Sequence, residues 1–139
     1  MTKAHLLKRL QDAVSPMEWE SLSMDQNLPI SAFNRTVLVE LKSAVAAEEQ
    51  TVSEDLILEL YETIKAYLKE HLADKTDGWK WIMIASIYLT FVAERPMHPI
   101  DLLGIKTKSE HGKVTYECPC KSNERNTTCY YCVCRKGVK

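Results

Sequence analysis

The first 117 of the 139 residues contain no cysteine, and the whole chain has only four glycines and five prolines. So few glycines and prolines exclude a fibrous or disordered chain, and 45% hydrophobic with 27% charged residues is ordinary for a globular domain. No apolar run reaches the roughly 20 residues that span a membrane. The N-terminal residues also lack the apolar stretch of a signal peptide, so we expect a cytoplasmic protein.

Common catalytic and nucleotide-binding motifs are also missing from the sequence. There is no Gly-rich loop to hold a phosphate and no Gly-x-Ser-x-Gly turn to present a nucleophile. A cysteine nucleophile would need one thiol activated by a neighbouring histidine and an orienting third group. Five clustered cysteines suit metal ligation better than that arrangement, so we predict that the protein is not an enzyme.

Residues 1–95 are predicted to form a bundle of four to five helices, which makes the expected fold class all-α. Apolar residues recur every three or four positions, as in amphipathic helices, in three segments: residues 3–14, 31–49 and 54–72. A short additional helix is predicted to begin at Ser15 and to stop before Pro29. Residues 79–93 carry a single charge, so the helix that contains them is predicted to lie at the centre of the bundle.

The character of the chain changes after residue 95. Residues 1–103 carry 10 Lys and Arg against 16 Asp and Glu, whereas residues 104–139 carry 8 against 3, so an acidic body precedes a basic tail. One short strand is predicted at Lys113–Glu117, and the segment from Cys118 onward has no helical or strand periodicity. We therefore expect two parts, a helical domain over residues 1–95 and an irregular module over residues 96–139.

All five cysteines lie in this C-terminal module, in the pattern C-x-C-x8-C-x2-C-x-C: Cys118, Cys120, Cys129, Cys132 and Cys134. The cytosol keeps thiols reduced, so such a cluster indicates metal or redox chemistry rather than structural disulfides. Two cysteine groups separated by a loop favour a tetrahedral Zn²⁺ site, and an iron–sulfur cluster or free redox thiols are the alternatives.

The simplest ligand set contains four of the five cysteines and leaves one thiol over. Cys118 and Cys120 would pair with Cys129 and Cys132, whereas Cys134 either replaces one of them or stays free. Two histidines are auxiliary candidates: His98, which is held between two prolines, and His111, which lies seven residues before the first cysteine. A bound metal would supply much of the folding energy of so short and polar a module.

The last 50 or so residues resemble a known family. The residues that carry the resemblance read IYLTFVAERPMHPIDLLG, GKVTYECPCK and CYYCVCRKG. They are similar to the uncharacterised archaeal proteins called domain of unknown function 2115, which are found mainly in methane-producing archaea. By position, the motif of that family falls on eight residues: Pro96, His98, Pro99, Tyr116, Cys118, Pro119, Cys129 and Cys132. The resemblance implies a cytoplasmic methanogen protein and implies no activity.

The function we favour from the sequence is that of a non-catalytic accessory or regulatory protein. Its metal-bearing or redox-active tail would dock on a larger protein complex, such as a methane-forming enzyme, and would respond to oxygen. One alternative is a carrier of metal or of iron–sulfur clusters. Another is a zinc-knuckle module that binds RNA, which the acidic body disfavours because it would repel phosphate.

Overall fold

In the computed structural model of the protein, the described residues are 1–16, 29–46, 49–71, 77–97, 104–118 and Tyr131. They form four α-helices, a π-helical turn that continues the last helix, and two β-strands. The bounds are α1 Lys3–Val14, α2 Pro29–Ser43, α3 Glu54–His71, α4 Asp77–Ile87, the π-turn Tyr88–Val92, β1 Lys106–Glu110 and β2 Lys113–Glu117.

The predicted all-α fold class is wrong, because an antiparallel β-hairpin follows the four helices and makes the fold mixed. The strand predicted at Lys113–Glu117 is β2, but its partner β1 lies in what we expected to be irregular chain. β1 was missed because its sequence, KTKSE, has no alternation of apolar and polar residues, and all five of its residues are exposed. The short helix predicted between Ser15 and Pro29 lies largely outside the described residues.

A two-residue turn fixes the pairing of the hairpin. His111 and Gly112 both have positive φ angles, 52° and 80°, as the type I′ turn requires. This turn matches the right-handed twist of the strands and sets Glu110 opposite Lys113 and Lys106 opposite Glu117. The hairpin therefore depends on its turn and its backbone pairing rather than on burial of its side chains.

One hydrophobic core joins the four helices and the π-turn. α1 has the predicted bounds and buries one face, and α3 contributes a row of fully buried side chains at Leu60, Ile64 and Leu68. α4 contacts both α1 and α3, with Trp81 only 1% exposed. This arrangement confirms the central position that was predicted from its nearly uncharged sequence.

The C-terminus of α2 comes six residues earlier than the sequence suggested, at Ser43 instead of residue 49. The side-chain amide of Gln11 on α1 accounts for this end. Its Nε2 donates to the carbonyl oxygens of Leu41 at 3.0 Å and of Ala44 at 2.8 Å. Because a cross-helix donor satisfies these terminal carbonyls, the chain can leave the helix there without burying unpaired acceptors.

The segment before α1 is bound to the segment before α3. Thr2 and Thr51 form an isolated antiparallel bridge, in which the Lys3 N–H donates to the Gln50 carbonyl at 2.8 Å. The Val52 N–H donates to the Met1 carbonyl at 2.9 Å. These bonds hold the start of α1, including Lys3, against the segment that directly precedes α3.

Candidate functional site

Of the five cysteines, Cys118 is the one that the described residues include. It directly follows β2, is 7% exposed, and forms no disulfide. Its side chain packs with Ile105, which precedes β1, and with the partly buried Met97 and Tyr116. The hairpin therefore brings Cys118 back beside Met97, where the chain leaves the helical body.

The other four cysteines and His98 lie outside the described residues, but two residues next to them in the sequence, Met97 and Tyr131, are described. Met97, directly before His98, packs against both the Cys118 cluster and the helical core. Tyr131, which stands between Cys129 and Cys132, packs against the helical core. Two described residues of the module, Met97 and Tyr131, thus contact the helical body.

His111 occupies the turn of the hairpin, at the end opposite Cys118. Gly112 and the five residues of β2 separate the two, and the strand alone spans about 17 Å. The hairpin does not bring these two candidate ligands together. Within the described part of the chain, no group of three or more His, Cys, Asp or Glu side chains could hold a metal ion.

A pocket of about 470 Å³ lies elsewhere on the molecule, where the start of α1, the end of α2 and the π-turn meet. Its polar lining comes from five side chains: Lys3, Glu40, Gln50, Tyr88 and Arg95. Ala44 to Ala46 and Val92 supply apolar surface. Its volume falls in the range of roughly 300–1,000 Å³ that is usual for small-molecule sites.

Glu40 organises one wall of this pocket. Its carboxylate forms an ion pair with Arg95. Tyr88 is 3% exposed, and this burial, followed by the negative charge of Glu40, raises the pKa of the phenol. The charge of Arg95 opposes the rise. Tyr88 is a neutral phenol at physiological pH, as an unperturbed tyrosine is.

Lys3 forms the second ion pair of the pocket. Its Nζ lies 3.2 Å from Glu94 Oε2, and its side chain is 11% exposed whereas that of Glu94 is 57% exposed. Lys3 belongs to the buried face of α1, one turn before Leu6 and Leu7. A cation on such a face needs a partner, and Glu94 provides it.

The backbone that delivers Glu94 and Arg95 is unusual. The π-turn is one residue wider than an α-helical turn, with the Ala93 N–H bonded to the Tyr88 carbonyl at 2.9 Å. Glu94 then adopts a left-handed φ of 52°, and the Arg95 N–H reaches back to the Leu89 carbonyl at 2.8 Å. π-turns are rare in proteins overall, but those that occur are often found at functional sites. The C-terminal end of this π-turn is therefore a candidate site.

The sequence analysis missed this pocket because its ion pairs join residues 55 and 91 positions apart. No local motif reports such pairs. Two signals were nevertheless present: a lysine in register with the apolar face of α1, and a tyrosine inside an almost uncharged helix. Each is a polar group that must find a partner when it is buried.

The comparisons with known proteins identify a family. The family model described as "Uncharacterized protein conserved in archaea (DUF2115)" matches residues 4–137. The chain belongs to this family. The resemblance inferred from the last 50 residues is therefore confirmed, and the match extends it over the helical body.

Among curated proteins, the chain is similar to an UPF0305 protein of Methanocaldococcus jannaschii, with 26% identity over 110 residues. The match covers 76% of this chain and 65% of the relative, so the chain spans just under two thirds of the relative's length. No solved structure matches. None of the helices formed by the described residues is long and apolar enough to cross a membrane.

Proposed function

We propose that this archaeal family member is a non-catalytic accessory protein of the cytoplasm whose C-terminal cysteine module docks on a larger protein complex. The module would hold a metal ion, zinc ahead of an iron–sulfur cluster. The cysteines Cys118, Cys120, Cys129, Cys132 and Cys134 would supply the ligands, and His98 would be the auxiliary candidate. The larger complex would be an oxygen-sensitive enzyme such as those of methane formation.

The observation that carries this proposal is the position of Cys118. A tail that served only as a flexible extension would not need its first cysteine buried between Ile105, Met97 and Tyr116. Met97 links that cluster to the helical core, and Tyr131 contacts the same core from between two further cysteines. These contacts support a module that is held against the body in a defined place, as a docking surface requires.

The surroundings of Cys118 fit a thiolate ligand. Metal–thiolate centres are commonly enclosed by apolar side chains that limit access of water, and Ile105, Met97 and Tyr116 supply such a shell. A bound Zn²⁺ would contribute folding energy to the module and no redox chemistry of its own. A buried cysteine also packs well as a small apolar side chain, and variants at Cys118 separate these two roles.

The hairpin gives little support to an RNA-binding function. Lys106, Lys108 and Lys113 lie on one face, where they would offer phosphate contacts. Glu117 and Glu110 stand directly opposite Lys106 and Lys113, and Lys108 Nζ lies 3.0 Å from Glu110 Oε1. Since most of the positive charge on this face is balanced by carboxylates, it lacks the single-sign patch typical of nucleic-acid binding.

Docking is tested by recovery of bound proteins from an anaerobic extract of the source archaeon. The bait is the native chain, its oxidised form, or a variant with all five cysteines changed to serine. Lys8→Ser, on an exposed position of α1, serves as the surface control. We expect one defined complex to bind the reduced native chain and the Lys8→Ser control only. Equal recovery by the five-cysteine variant would contradict the proposal, provided that circular dichroism shows its helices intact.

A further inference from the structure

The pocket beside the π-turn does not involve the cysteine module, so its function can be argued independently of the proposal above. Its lining contains two cations, Lys3 and Arg95, and each of them forms an ion pair with one carboxylate of the protein, Glu94 and Glu40 respectively. Binding of carboxylates is thus what these two side chains already do. A ligand with a carboxylate group, which could take the place of one internal partner, is the class that the lining favours.

The polar groups of the pocket are held in place by contacts from several elements. The bridge between Thr2 and Thr51 positions Lys3. The left-handed turn at Glu94 sends that carboxylate to Lys3 and the next side chain, Arg95, to Glu40. Preorganised groups lose little conformational entropy on binding, and such loss is a main cost of small-molecule affinity.

The chemistry of the lining points to a carboxylate. The guanidinium group of Arg95 already holds one carboxylate, that of Glu40, through its Nη2 atom. A guanidinium carries five N–H donors in a planar fork, so the same group can bind a second carboxylate in the pocket. Ala44, Ala46 and Val92 lie beside it, and Val45, which is 94% exposed, forms the rim.

We propose that this pocket binds a small organic carboxylate, with Arg95 and Lys3 on the carboxylate group and the Ala44–Ala46 stretch and Val92 on the apolar part of the ligand. Glu40 and Glu94 act as internal partners of the two cations when no ligand is bound. The site is a binding site, and no bond is made or broken in it.

The experiment is a titration of ¹⁵N-labelled full-length protein, followed by amide chemical shifts, with hexanoate as the probe. Hexan-1-ol and hexylamine, which have the same chain and a neutral or positive head, are the matched ligands. We expect hexanoate to cause saturable shifts at Lys3, Gln50, Tyr88 and Val92, with weak or no response to the other two. Equal responses to the three probes, or no saturable response to hexanoate, would overturn the proposal.

Two variants with opposite expected effects make the test specific. Arg95→Gln should weaken hexanoate binding about tenfold, the value of one hydrogen bond to a charged group. Glu40→Gln removes the internal competitor and should tighten binding. Lys8→Gln, on the same helix as Lys3 but outside the pocket, should leave it unchanged. The spectra also report folding. If Glu40→Gln weakened binding as much as Arg95→Gln while both stayed folded, the ion pair would only be structural and the proposal would be wrong.

Discussion

Lys3 and Glu94 are 91 residues apart in the chain, yet Lys3 Nζ lies 3.2 Å from Glu94 Oε2. This pair connects the start of α1 to the residue at which the chain leaves the π-turn. Glu94 forms this ion pair from a left-handed backbone conformation that residues other than glycine rarely adopt. The backbone conformation of Glu94 therefore has a local cost in free energy. The same turn places Glu94 beside Lys3 and Arg95 beside Glu40.

The backbone cost at Glu94 can be measured by comparing two substitutions. Glu94→Gly and Glu94→Ala both remove the ion pair with Lys3, but only glycine removes the steric cost of the positive φ. We expect Glu94→Gly to be the more stable of the two by about 1 kcal/mol. Urea unfolding of both variants gives this difference. Equal stabilities, or a more stable alanine variant, would show that the left-handed conformation carries no cost.

Tyr88 gives the molecule a stability that falls at high pH. Its pKa is raised in the folded state above its ordinary value of 10.0 by burial and by Glu40. Above pH 10 the unfolded chain loses this proton before the folded chain does, so the unfolded state binds fewer protons and the free energy of unfolding decreases. The stabilisation is fully present below pH 10 and is lost as the pH rises through the folded pKa.

The test compares the free energy of unfolding of the native chain and of Tyr88→Phe as a function of pH. The lysines titrate in the same pH range, and the comparison subtracts their contribution. We expect the native chain to be more stable at pH 8 by about 1 kcal/mol, the usual net size of one side-chain polar interaction. The difference should shrink between pH 10 and pH 12. A constant difference over this range would mean that Tyr88 does not titrate differently in the folded and unfolded states.

Thr90, in the middle of the π-turn, carries a buried hydroxyl that has no hydrogen-bond partner among the described residues. Thr90→Val replaces it with a methyl group of similar shape and removes the cost of burying the donor. We expect this variant to be as stable as the native chain or more stable. Thr63→Val is the control, since the Thr63 hydroxyl donates to the Glu59 carbonyl at 2.9 Å, and its loss should cost about 1 kcal/mol. A comparable loss at Thr90 would reveal a partner for its hydroxyl.

Cys118 tests the proposed metal module. Cys118→Ser and Cys118→Ala should both lose bound metal, because each removes the sulfur donor. Ile105→Val disturbs the same cluster by one methyl group and should keep the metal. Metal content per chain by elemental analysis, after anaerobic purification, decides between the two roles of Cys118. Metal retained by Cys118→Ala would assign the residue to packing alone.

The helical body was predictable because its signals are local. α1 was predicted with its observed bounds from the spacing of Leu6, Leu7, Leu10 and Val14. The start of α3 at Glu54 was also predicted, and in the structure the Ser53 Oγ caps it by accepting a hydrogen bond from the Leu56 N–H at 3.3 Å. In both cases the residues that determine the element lie within a few positions of it.

The features that were missed depend on distant partners. The early end of α2 requires Gln11, which lies on another helix. β1 exists because of its turn and its partner strand, and its own residues have low strand propensity. The pocket rests on Arg95 with Glu40 and on Lys3 with Glu94, pairs that only the tertiary fold brings together.

The most direct test of the account is the metal content of the native chain purified without oxygen, together with its ultraviolet–visible spectrum and its count of reactive thiols. The account predicts one equivalent of bound metal, with zinc and no visible absorption as the expected form, and at most one reactive thiol, that of the cysteine left out of the ligand set. Iron with sulfide and a brown colour that bleaches in air would assign the same module to the iron–sulfur alternative. A metal-free chain with five reactive thiols would contradict the proposed module.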